Sequence, residues 1–205
     1  MIGYYNYTVI MTYLGFCSGL FGLWFAFQDR PLDAVYCLVF SAFCDLVDGR
    51  IARRRERTLE ERRFGVQIDS LSDLFCFGVL PGAIALSLSD SLAVILVSAL
   101  FALCALIRLA YFNVTAAAEE VKNAQGKMAF RGLPVTTSGL LFPLLYCFYP
   151  LLGRAFLPLY LVVMAATACA FVAPFTMQKP GLRKQLVMCA IGLAMLIVLL
   201  TTGSN

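Results

Sequence analysis

Histidine is absent from all 205 residues of the chain. That excludes Ser-His and Cys-His nucleophilic relays, and any zinc site built on imidazole. Eight cysteines stand singly at 17, 37, 44, 76, 104, 147, 169 and 189 and never form C-x-x-C, so a cysteine zinc cluster has no framework either. They read as small apolar residues packed between helices. Charge is also scarce. Charged residues make up 14% of the chain, against about a quarter in an ordinary soluble domain.

What the chain has instead is apolar sequence, 61% of it, gathered into runs. Seven stretches near 7–27, 32–52, 65–88, 91–114, 133–150, 155–177 and 185–202 approach the ~20 residues an α-helix needs to cross a bilayer. The fold expected is an all-α polytopic membrane bundle, with residues 1–205 as a single integral-membrane domain. No internal repeat, low-complexity segment or basic n-region of a secretory signal is evident, and the tyrosines of MIGYYNYT suit a membrane–water interface.

Basic residues set the expected orientation. The loops at 53–64, 115–132 and 178–184 fall on one face. They carry Arg53, Arg54, Arg55, Arg57, Arg62, Arg63, Lys122, Lys127, Arg131, Lys179, Arg183 and Lys184, while the other face has Arg30 and Arg154. Positive-inside bias then puts the N-terminus and these loops in the cytoplasm. The net charge of +4 expresses this bias, and no nucleic-acid partner is needed to explain it. The run RRRERTLEERR reads as a solvated cap drawn to anionic lipid headgroups.

Against this background the acids stand out. Asp45 and Asp48 close one apolar run, and Asp69 and Asp73 open the next. The first pair is i,i+3 and the second i,i+4, so each pair shares a helix face. A short loop makes the two helices antiparallel neighbours, and both pairs can converge on one small volume. An Asp at a transmembrane helix centre disfavours insertion by about 2.5–3.5 kcal/mol, less near the interface. Four converging carboxylates need a positive partner, and hard divalent cations with oxygen ligands supply it. Two Mg²⁺ or Mn²⁺ ions bridged by shared carboxylates are expected.

Small residues accompany the acids. Gly49 follows Asp48, Ala52 lies one turn on, and Gly65 precedes Asp69 by one turn. Glycine in a helix costs up to about 1 kcal/mol relative to alanine, but it opens a floor for a flat ring and a diphosphate. The bland alternative is that the acids pair with loop arginines and anchor helix ends.

These residues resemble a known signature. D45-L-V-D48-G49-R-I-A52-R53 followed by G65-V-Q-I-D69-S-L-S-D73 is similar to D-x-x-D-G-x-x-A-R…G-x-x-x-D-x-x-x-D of the CDP-alcohol phosphotransferases. The stretch 54–64 is longer than that family's usual spacing. The resemblance implies a helical membrane enzyme with a six-helix core, a homodimer with its active site at the cytoplasmic face. Such an enzyme moves a phosphatidyl-type group from a CDP-linked donor to an alcohol with divalent metal. It further implies Asp45, Asp48, Asp69 and Asp73 as metal ligands, Asp73 also as general base, and Gly49, Ala52, Arg53 and Gly65 as the lining of the CDP site.

DSLSDLFCFGVLP (69–81), IRLAYFN (107–113) and FRGLP (130–134) resemble segments of the serine-specific branch of that family. The branch implies CDP-diacylglycerol and L-serine as substrates, with phosphatidylserine and CMP as products. A lone serine hydroxyl is a poor nucleophile and needs a base within hydrogen-bond reach.

Arg108 stands in an apolar run, open to two readings: recognition of a substrate carboxylate or phosphate, or a snorkelling or internally paired arginine. Asn113 and Arg131 are further candidates for the serine pocket, mainly through the resemblance. Gly15 and Gly19 form G-x-x-x-G, which reads as close packing within the bundle rather than a dimer seam. Two alternatives remain: the same chemistry with glycerol phosphate or inositol phosphate as acceptor, or a cation or proton transporter using the acids as relay sites.

Overall fold

The computed structural model describes residues 9–51, 58–122, 129–174 and 176–178, apart from the side chains of 49–51, 116–122, 129–131 and 176–178. Helix α1 (Ile10–Phe27) packs along α2 (Pro31–Ile51). One long helical rod follows, made of α3 (Leu59–Asp73), a π-helical segment (Leu74–Val79) and α4 (Leu80–Leu88). Next come α5 (Leu92–Lys122), strand β1 (Ala129–Arg131), a 3₁₀ turn (Val135–Thr137), α6 (Ser138–Tyr146), α7 (Tyr149–Leu152), α8 (Phe156–Val172) and strand β2 (Thr176–Gln178).

Among the described residues four helices are long and apolar enough to cross a membrane: Ile10–Phe27, Leu59–Leu88, Leu92–Thr115 and Tyr149–Val172. Large apolar side chains such as Phe21, Leu96, Leu103 and Val162 point outward, as lipid-facing surfaces require and soluble surfaces rarely allow. The protein is a helical membrane bundle.

Several boundaries differ from expectation: α5 runs on to Lys122 against the expected 114, and α8 ends at Val172 against the expected 177. The third helix starts at Leu59 instead of 65, because Thr58 caps it. Thr58 Oγ1 accepts from the Glu61 N–H at 3.2 Å, and Glu61 Oε2 accepts from the Thr58 N–H at 3.0 Å, a capping box. The long 54–64 stretch is thus partly taken up as extra helix before Gly65. Residues 133–150 do not form one crossing. Val135–Tyr146 is a shorter apolar helix, with Pro143 inside α6 and a turn before α7. At ~1.5 Å per residue it spans about 18 Å, short of a ~30 Å hydrocarbon core. The expected seventh crossing, 185–202, lies outside the described residues.

The two strands are an addition to the all-α expectation. β1 and β2 pair antiparallel, Phe130 opposite Met177. The Leu133 N–H also donates to the Ala170 carbonyl at 3.2 Å, fastening the loop before α6 to the end of α8.

Close approach is bought by glycine on α1. A Cβ on Gly15 would stand 3.2 Å from Cys44 Cβ, one on Gly19 would stand 2.7 Å from Cys76 Sγ, and one on Gly22 would stand 2.9 Å from Cys37 Cβ. The G-x-x-x-G face is therefore spent inside the bundle, as expected. The core beneath is aromatic: Phe101 meets Phe142 edge-on at 5.4 Å, and Phe142 lies 4.9 Å from Tyr160.

Candidate active site

Four elements converge on one narrow cleft. α1 contributes Met11, Thr12 and Gly15, and α2 contributes Ser41, Asp45 and Asp48. α3 adds Asp69, Ser72 and Asp73, and the π segment adds Cys76 and Phe77. The periodicity is plain: 41, 45 and 48 share one face of α2, and 69, 72, 73 and 76 share one face of the rod. All four motif aspartates thus line the same space.

One carboxylate oxygen from each of Asp45, Asp48 and Asp69 lies within 4.8 Å of the other two. Asp73 lines the cleft one turn further along α3 and is buried, as is Asp48, while Asp45 and Asp69 are half-buried. Among the described residues no ion pair engages Asp45, Asp69 or Asp73. That is against the reading of these acids as anchors for described arginines. Asp48 Oδ2 accepts a hydrogen bond from Thr12 Oγ1 at 2.8 Å, which fixes its rotamer from the neighbouring helix.

The donor set fits a hard divalent ion. All the ligand atoms are carboxylate oxygens. Oxygens on opposite sides of one Mg²⁺ stand about 4.2 Å apart at ~2.1 Å per bond, and paired ions sit about 3.5–4 Å apart. Small side-chain rotations cover the difference. Cys76, a softer donor that also lines the cleft, has its thiol engaged: its Sγ donates to the Gly15 carbonyl at 3.4 Å, and that carbonyl also accepts from Ser41 Oγ at 2.9 Å.

The other expected site residues divide. Gly49 directly follows Asp48 on α2, and Gly65 lies one turn before Asp69 on α3. Ala52 and Arg53 lie outside the described residues. Asn113 is engaged by α3, accepting from Ser70 Oγ at 2.8 Å and donating to Gln67 Oε1 at 3.3 Å. Arg131 lies on β1, paired with Thr176.

Arg108 is buried on α5. Its Nε has no hydrogen-bond partner among the described residues, and its guanidinium carbon lies 5.7 Å from the Phe112 ring centre. A snorkelling arginine would reach water, so burial is against that reading. Ala105 meets Gly78 and Asn113 meets Ser70 across the two antiparallel rods. Arg108 therefore sits near the level of Phe75, about three Ångströms of rise from Asp73. Thr12, Ser41 and Ser72 were missed in sequence. Ser41 lies one turn before Asp45 and Ser72 is the residue before Asp73, which was their only signal; Thr12, on another helix, had none.

A family model for CDP-alcohol phosphatidyltransferases matches residues 5–173. The chain belongs to the CDP-alcohol phosphatidyltransferase family. Among members of this family it is similar to the CDP-diacylglycerol–serine O-phosphatidyltransferase of Saccharomyces cerevisiae, 36% identical over 146 residues that cover 68% of this chain and 52% of the yeast protein. A Helicobacter pylori protein of the same name is 32% identical over 126 residues, 60% of this chain and 49% of that protein. The archaetidylserine synthase of Methanothermobacter thermautotrophicus is 27% identical over 166 residues, 79% of this chain and 67% of that protein. The chain spans about half the length of the yeast and Helicobacter relatives.

Proposed function

We propose that this family member is a phosphatidylserine synthase, transferring the phosphatidyl group of CDP-diacylglycerol to L-serine with release of CMP. The observation that carries the reading is the meeting of Asp45, Asp48, Asp69 and Asp73 in one cleft. The serine-specific names of the relatives support the choice of acceptor.

In this reading Asp45, Asp48, Asp69 and Asp73 hold two Mg²⁺ or Mn²⁺ ions. Bound divalent metal supplies charge neutralisation for the diphosphate and the departing CMP. Asp73 takes the proton from the serine hydroxyl. The serine oxygen then bonds to the lipid-side phosphorus as the bond from that phosphorus to the CMP oxygen breaks. Gly49, Ala52, Arg53 and Gly65 line the cytidine diphosphate. Arg108, whose buried Nε lacks a described partner, binds the serine carboxylate, with Asn113 and Arg131 flanking. The active site and the N-terminus face the cytoplasm, supported by the basic loops, and the protein works as a homodimer, as the resemblance implies.

The test is CMP release by purified protein given Mn²⁺ or Mg²⁺, CDP-diacylglycerol and one alcohol at a time. Serine alone should support turnover. Turnover with glycerol phosphate or inositol phosphate instead would reassign the acceptor. None with any alcohol, on diacyl or ether-linked donors, would favour ion transport through the acids.

A further inference from the structure

The π segment begins at the residue after Asp73. A π turn adds one residue to an α ladder, and one residue is ~100° of helix rotation. The segment therefore sets the angular phase of Asp69 and Asp73 relative to α4. The far end of the rod is locked. A Cβ on Gly78 would stand 3.1 Å from Ala105 Cβ, and one on Gly82 would stand 2.9 Å from Ser98 Cβ. Tyr160, fully buried, donates its hydroxyl to the Pro81 carbonyl at 3.0 Å. With α4 held, converting the π turn to α would swing the acids around the axis and out of register with Asp45 and Asp48.

Around this turn the ladder departs from the α pattern. The Leu80 N–H reaches back five residues to the Phe75 carbonyl. Pro81 follows and has no N–H, although an α ladder needs that N–H to close on the carbonyl of Phe77 four residues back. The Phe77 carbonyl accepts instead from Ser138 Oγ at 2.8 Å. Ser138 is fully buried at the start of α6, and its one hydroxyl proton is shared with the Val135 carbonyl at 2.6 Å.

We propose that Ser138 is a positioning residue for the acidic site: with Pro81 it holds the π turn, and through that turn the phase of Asp69 and Asp73. The inference rests on the metal-holding reading of the acids, so the test reads metal binding first in the parent protein.

The experiment is a Mn²⁺ titration followed by electron paramagnetic resonance, with a thermal melt, on the full chain and three variants. Ser138→Ala should weaken Mn²⁺ binding by about 10–100-fold, the usual scale when a group supporting a ligand is lost. Pro81→Ala restores the missing N–H and favours the α ladder, so it should also weaken Mn²⁺ binding while melting no lower than the parent. Thr167→Val removes a buried hydroxyl on α8 that donates to the Val163 carbonyl at 2.7 Å, away from the π turn, and it should leave Mn²⁺ affinity unchanged whatever it does to the melting temperature. If Ser138→Ala does not fold, Pro81→Ala decides. Parent-like Mn²⁺ affinity in a folded Ser138→Ala or in Pro81→Ala, or equal weakening in Thr167→Val, overturns the inference alone. A parent protein that binds no Mn²⁺ overturns the metal reading beneath it.

Discussion

Thr12 and Asp48 are 36 residues apart in sequence and 2.8 Å apart in space, hydroxyl to carboxylate. The first helix thereby orients an acid of the second. A hydrogen bond to a charged group contributes about 1.5–3 kcal/mol. Thr12→Val keeps the shape and removes the donor. The Mn²⁺ concentration giving half-maximal CMP release should rise about 10-fold or more. An unchanged value would show that Asp48 needs no help from α1.

Asp73 is the buried acid one turn beyond the close trio. In the proposed role of general base it would contribute about 10²–10⁴-fold to rate. Asp73→Asn should therefore bind the CDP donor with little change, measured by calorimetry, while single-turnover CMP release falls by that order. A near-parent rate would remove Asp73 from the role.

Arg108 makes a different prediction. Replacing a buried guanidinium that pairs with a carboxylate costs about 10–100-fold in binding. Arg108→Lys retains charge but loses the planar fork. The KM for serine should rise on that scale with the KM for CDP-diacylglycerol unmoved. If the donor KM rises instead, Arg108 serves the lipid phosphate.

Gly19 gives a steric prediction. An alanine Cβ there would stand 2.7 Å from Cys76 Sγ and 3.2 Å from a Phe75 ring carbon. Overpacking of this kind costs about 1–3 kcal/mol. Gly19→Ala should lower the melting temperature in detergent more than Gly15→Ala, whose nearest contact would be 3.2 Å. Equal melting of the two would mean that α1 can move away.

The convergence of the acids was legible because helix periodicity acts within single segments. Asp45 with Asp48, and Asp69 with Asp73, needed only i,i+3 and i,i+4 geometry, and the motif spacing identified the family. The start of α3 was also readable, since T58-L-E-E61 is a capping box, yet the apolar run drew attention to Gly65. Other features were hidden for physical reasons. A π turn changes helix phase through its ladder, and Pro81 alone does not announce it. Strands of three residues, such as 129–131 and 176–178, gain their order from a partner distant in sequence. Hydroxyls such as Thr12, Ser41 and Ser138 look ordinary in an apolar run until a carbonyl or carboxylate from another helix is placed beside them.

The most direct measurement is anomalous diffraction from crystals of the protein soaked with Mn²⁺ and a CDP donor. The account predicts two peaks among the carboxylates of Asp45, Asp48, Asp69 and Asp73, with the donor diphosphate against them. Clear density for these side chains with no anomalous signal between them would contradict it.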